Sequence, residues 1–211
     1  MPPGQRTRKI KRQRRTPDAV RNSALQTARE LLVKSGPEAL TLPAVAKRLG
    51  MTHGNITHHF GSVGALHAAL VDQMAAELTV SVTDAVTQLR GQGADPIKIV
   101  NALFAAFSAN GAGRLVSWLA STGNMAALEP LFATVSNLVR ELSLGKPRPG
   151  EERELSVRQN ALVLMATALG NALIGDRLHL AVGLPQGTLN ELTAKDLTRR
   201  VYPADNPVRR P

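Results

Sequence analysis

Cysteine is absent from the 211 residues. That excludes disulfide staples, thiol nucleophiles and thiolate metal sites, and it suits a reducing cytosol. Aromatic side chains are scarce: Phe60, Phe104, Phe107, Trp118, Phe132 and Tyr202 make up 3% of the chain. So few rings are poor material for stacking the bases of a single-stranded nucleic acid. Apolar runs are short, the longest being six residues, as in Ala161–Ala166. A membrane span needs about 18, so neither a span nor a membrane partner is expected. Sustained two-residue alternation is missing, which argues against strands. Neither a P-loop nor a G-x-S-x-G or dinucleotide-binding signature occurs, and no enzymatic activity is expected.

Acidic residues are rare at one end. Residues 1–66 hold twelve basic and three acidic residues, a net +9, whereas residues 67–211 carry a net +1. Such one-sided charge is the footprint of a polyanion partner. Within it, Arg6, Arg8, Lys9, Lys11, Arg12, Arg14 and Arg15 form a block without an acid. A block of this kind repels itself and cannot bury a core, so residues 1–16 are expected to form a disordered arm. If that polyanion is a duplex, Arg12, Arg14 and Arg15 would follow its phosphates or enter its minor groove.

What remains reads as helix throughout, an all-α chain of about nine helices. Capping and breaker residues predict helices beginning near Pro17 and spanning about 42–49, 53–60, 63–89, 95–109, 113–121, 128–143, 152–180 and 189–200. The informative stretch is 41–66. Val45, Ala46 and Leu49 point one way on a short helix, Gly50 supplies a left-handed turn, and Thr52 caps a second short helix. Ile56 and Phe60, four apart, form the inner face of that second helix. Two short helices across a tight glycine turn are the helix-turn-helix pattern. Residues 17–62 are therefore expected to form a three-helix DNA-binding domain, and residues 63–211 a second helical domain.

The outer face of the second helix presents Thr52, His53, Gly54, Asn55, Thr57, His58 and His59. These are polar, mostly short and free of carboxylates, which suits a major groove walled by phosphates. Asn55 can read adenine through its amide, and Thr57 can meet a phosphate or a thymine methyl. The histidines can donate to phosphates or base acceptors. Free N–H groups at the helix starts offer phosphate sites near Thr41 and Thr52. A metal site is not expected. His53 and His58 lie about 140° apart around a helix, and the adjacent His58 and His59 about 100°.

This stretch resembles the TetR family of bacterial transcriptional regulators. The matching residues are Gly36, Leu40-Thr41-Leu42, Ala46, Gly50, Thr52-His53-Gly54, His59-Phe60, Ser62 and Leu66. The resemblance covers roughly residues 20–66. It implies a homodimer whose N-terminal domains bind a palindromic double-stranded operator, with a C-terminal helical domain that takes a small inducer and dimerises. It implies a cytoplasmic, nucleoid-associated regulator, most often a repressor. The sequence departs from the family at Thr57 and His58, where aromatics are usual, and at Val63, where a phosphate-binding Lys is usual. The arm would then compensate in electrostatic grip. A nonspecific or architectural DNA binder working through the arm alone is the alternative.

In the C-terminal part, residues 99–110 carry no charge. An inducer pocket is expected around Asn101, Phe104, Phe107, Trp118, Met125 and Phe132, with a neutral, apolar ligand and no other cofactor. The helix at 152–180 has two stripes. Leu155, Leu162, Leu169 and Leu173 are assigned to the subunit's own core. Ala161, Met165, Ala168, Ala172 and Gly175 are assigned to a partner copy, joined by Leu189 and Leu192 of the last helix. His67 and His179 stand alone and are read as structural or exposed.

Overall fold

The computed structural model describes residues 16–92, 96–108, 111–143 and 150–201. The basic arm, with Arg12, Arg14 and Arg15, lies outside the described residues. Among the described residues there are nine α-helices, two short 3₁₀ turns and no strand. The helices are α1 Pro17–Ser35, α2 Leu42–Leu49, α3 His53–Phe60, α4 Val63–Gln92, α5 Ile97–Ser108, α6 Ala112–Ser121, α7 Glu129–Ser143, α8 Gly150–Ala181 and α9 Thr188–Val201.

The caps explain the boundaries. Thr16 Oγ1 accepts from the Ala19 N–H at 3.3 Å, and Pro17, which has no N–H to satisfy, opens α1. Ser62 Oγ likewise accepts from Ala65 N–H at 3.1 Å at the start of α4. The head, α1–α3, encloses Ala24, Ala28, Leu32, Val45, Ile56 and Phe60. The buried residues continue without a break through Leu66, Leu70 and Val71 of α4 into the body around Val100, Phe104, Leu115 and Leu119. Helix α5 sits at the centre of that body, with Val100, Leu103, Phe104 and Phe107 all buried.

Helix α8 is turned opposite to the expected direction. Ala168 is 0% exposed and Gly175 is buried, both inside this chain. Ala172 meets Gly113 of α6 so closely that a Cβ added at Gly113 would lie 2.7 Å from the Ala172 Cβ. Ala161 and Met165 face a cavity within the subunit. Leu189 packs on the chain's own core, while Leu192 is exposed. The small stripe therefore faces the chain's own body, packed closely at Ala172 against Gly113 and open to the cavity at Ala161 and Met165, and the assignment of those five residues to a partner is corrected. Of the leucines given to the core, Leu169 is half-buried, whereas Leu162 is 73% exposed and Leu173 is exposed. Leu155's side chain lies outside the described residues. Both stripes were apolar, so hydrophobicity could not rank them; the glycine backbone of α6 could.

By length and composition, Ser156–Ala181 is also long and apolar enough to cross a membrane. The count of unbroken apolar residues missed this, because Thr167, Gly170 and Asn171 interrupt the run without adding charge.

Candidate nucleic-acid interface

The turn between α2 and α3 is set by backbone geometry. Gly50 adopts φ 65°, ψ 33°, a left-handed conformation in which other L-residues are strained. Gly50 N–H donates to Lys47 O at 3.2 Å and Met51 N–H donates to Ala46 O at 2.9 Å. This pair of bonds is a Schellman turn, and it closes the end of α2. Thr41 Oγ1 caps α2 from Ala44 N–H, and Thr52 Oγ1 caps α3 from Asn55 N–H, each at 3.3 Å. Both hydroxyls hold their helices and are exposed at the helix starts expected to face phosphates.

On α3, Ile56 and Phe60 are buried against the head, so the opposite side is fixed outward. His53, Gly54, Asn55 and His58 are exposed, with Thr57 and His59 half-buried at the edges. No Asp or Glu occurs on α3. Thr57 Oγ1 donates back to His53 O at 3.0 Å and lies 3.3 Å from His53 Nε2. Its hydroxyl proton is thus engaged within the helix, and its outward offering is mainly the methyl. His58 and His59 rings meet edge to face, with centroids 5.8 Å apart.

Two residues that the sequence did not single out support this face. Arg21 of α1 stacks over the Phe60 ring, 4.7 Å from its centroid, and its Nη1 donates to His59 O at 3.1 Å. It satisfies a carbonyl at the end of α3 and braces that helix. Lys47 is exposed in the last turn of α2, beside the glycine turn. A cation there was legible in the sequence. Arg21 was not, because its partner is 38 positions away.

The head is tied to the body at several points. His67 of α4 is buried, its Nε2 lies 2.9 Å from Leu40 O, and its ring meets Trp118 of α6 edge to face at 5.4 Å. Arg29 of α1 pairs with Glu77 of α4 at 2.7 Å. His179 is buried as well. Its Nδ1 lies 2.7 Å from Gly175 O, and its Nε2 accepts from Leu189 N–H at 3.4 Å, which joins the end of α8 to the start of α9. Both histidines are structural.

The body holds a cavity of about 290 Å³. It lies between Val82 of α4, Leu103 of α5, Leu138 of α7 and Leu164 of α8, with Leu197 of α9 on its wall. None of the six residues expected around a pocket lines it. Phe104 and Phe107 are core. Trp118 is spent on His67, and Asn101 is exposed, accepting from Asn190 Nδ2 at 2.8 Å. Met125 and Phe132 are 47% and 46% exposed. The expectation chose the right helix, α5, but the wrong side of it. Among the described residues, no three His, Asp or Glu side chains come together.

Residues 24–70 match the model of the bacterial regulatory proteins of the tetR family. No curated protein matches the chain. Among solved structures, the fold is similar to the multidrug binding protein EbrR, solved with imidazole, at TM-score 0.63 and 19% identity over 85% of this chain and 93% of that one. It is similar to a transcriptional regulator from Rhodococcus sp. Rha1 at TM-score 0.60 and 19% identity, over 86% and 95% of the two chains. It is also similar to the fatty acid degradation regulator FadR from Bacillus halodurans at TM-score 0.55 and 13% identity, over 92% and 100%.

Proposed function

We propose that this chain, whose residues 24–70 match the tetR-family model, is a TetR-type bacterial transcriptional regulator, a cytoplasmic, nucleoid-associated repressor without catalytic activity. It binds a palindromic operator as a homodimer and leaves it when a small molecule enters the body. The observation that carries the DNA-binding part is the outward face of α3. His53, Gly54, Asn55 and His58 are presented without a carboxylate on a floor of Ile56 and Phe60. That is the size and chemistry a major groove accepts.

Dimerisation is supported by the outer side of α8, where Leu162, Val163, Leu173, Ile174 and Leu178 are exposed at helical spacing. Exposed large apolar side chains gathered on one side of a helix favour an interaction surface. A second copy matched across a two-fold axis buries it, and the same axis sets two α3 helices on two half-sites. Ligand response is supported by the path of α4. One continuous helix carries His67 and Leu70 beside the head and Val82 and Val86 at the cavity. A ligand that favours another placement of α4 shifts the population of head spacings, to the extent that it binds that placement more tightly.

Selection of bound duplexes from a random pool tests the reading. A recovered palindrome with half-sites about one helical turn apart is the expected result. Uniform retention of all sequences, lost in moderate salt, would instead identify a nonspecific binder acting through the arm.

A further inference from the structure

The lining of the cavity bears on the class of ligand it takes, a question that rests on reading the chain as a ligand-responsive regulator. Two uncharged polar residues are on its wall, Thr134 of α7 and Asn160 of α8. The remaining described lining is aliphatic, Met165 and Pro96 included, with no charged or aromatic side chain. The Asn160 amide makes one hydrogen bond among the described residues, a long one of 3.5 Å from its Nδ2 to Ser156 Oγ. The Asn160 carbonyl and the Thr134 hydroxyl are the hydrogen-bonding groups that these two lining residues can offer a guest.

We infer that this cavity takes an uncharged lipophilic molecule, aliphatic or alicyclic, with one hydrogen-bonding group directed at Asn160 and Thr134. Three features lead there. A charged group buried among these side chains would lose its hydration, with no opposite charge on the described lining to replace it. A cationic guest would also lack an aromatic face to lie on, because among the described residues no ring lines the site. The volume of about 290 Å³ is roughly twice the ~150 Å³ cavity that holds one benzene ring. A saturated chain or fused alicycle of about ten carbons is the corresponding size.

Three probes of equal chain length and different head charge make the test: 1-decanol, decanoate and decyltrimethylammonium, titrated calorimetrically into the full-length protein. The expected result is binding of 1-decanol at least tenfold tighter than either ion. Ala161→Phe and, independently, Leu138→Phe place a ring in the cavity and should each weaken 1-decanol at least tenfold with helical circular dichroism unchanged. Asn160→Leu should weaken it several-fold and leave the rejection of both ions intact. Equal binding of either ion, no binding of 1-decanol, or binding untouched in both folded phenylalanine variants overturns the inference. Operator binding is followed separately in the same samples. If 1-decanol saturates the cavity while the operator stays bound, the ligand class stands and the induction reading falls. If no operator exists, the regulator reading falls while the titration still decides the ligand class.

Discussion

Asn55 and three glycines carry the residue-scale consequences. Asn55 is exposed on α3, its backbone N–H taken by Thr52 and its amide directed outward. Asn55→Ala should cost about 1–3 kcal/mol at the selected operator and relax preference at one base pair. Competition with scrambled duplex reads this directly. Equal loss on every sequence would place Asn55 on the backbone instead. The glycines separate two kinds of constraint. Gly50 has a positive φ and open space where a Cβ would go. Gly50→Ala should therefore cost about 1–2 kcal/mol through backbone strain alone. Gly113 has no such φ, but an added Cβ would meet the Ala172 Cβ at 2.7 Å and the Phe107 carbonyl at 3.1 Å. Overpacking there should cost about 1–3 kcal/mol. Ala172→Gly should recover part of the loss in the Gly113→Ala background, whereas nothing at Ala172 should help Gly50→Ala. Denaturant midpoints of the four variants decide it. Gly36 is one of the residues that carry the family resemblance. It ends α1 at φ +87°, with its N–H donated to Leu32 O at 3.0 Å, so its role is backbone geometry as well.

At the scale of the element, α8 is the instructive case. Its composition says only that two faces need cover. The glycine of α6 decides that the small face turns inward, since a backbone can approach only where side chains are short. Ala168→Glu, which an outward small stripe would make a monomerising change, should now unfold the protein, because it buries an unpaired carboxylate in the subunit core. Leu173→Glu together with Ile174→Glu should instead leave the helical signal intact and halve the mass seen by sedimentation. A double mutant that stays dimeric would move the interface elsewhere. Helix α3 behaved differently. Its inner residues, Ile56 and Phe60, are few and far more apolar than its outer ones, so one orientation was available. The same asymmetry made the helix-turn-helix readable from residues 41–66, while the near-uniform apolarity of α5 hid which side borders the cavity.

For the whole molecule, two links govern behaviour. The first joins the arm to DNA. Removing residues 1–15 takes away seven cations. The slope of log affinity against log salt should flatten by about 0.9 for each phosphate that the shortened chain leaves unneutralised, with the preferred sequence retained. An unchanged slope would make the arm a passive tail. The second link joins head to body through His67, held between the Leu40 carbonyl and the Trp118 ring. His67→Phe keeps the ring and removes the hydrogen bond. It should leave ligand affinity unchanged and reduce, several-fold, the shift in operator affinity that ligand produces, because coupling is the free energy shared by the two sites. A variant with full coupling would assign communication to another path, the Arg29–Glu77 pair being the next to test.

By itself, the sequence determined the helical class, the helix boundaries to within a few residues and the outward residues of α3, apart from the half-buried Thr57 and His59. Those features depend on local chemistry: a cap three residues from its N–H, a glycine at a turn, apolar residues four apart. Only the tertiary structure decided which stripe of α8 faces inward, where the cavity lies, that Trp118 belongs to His67, and that Arg21 braces the end of α3. Each of these depends on partners tens of residues distant. Nothing in a single apolar helix distinguishes a side chain facing a neighbouring backbone from one facing an empty space.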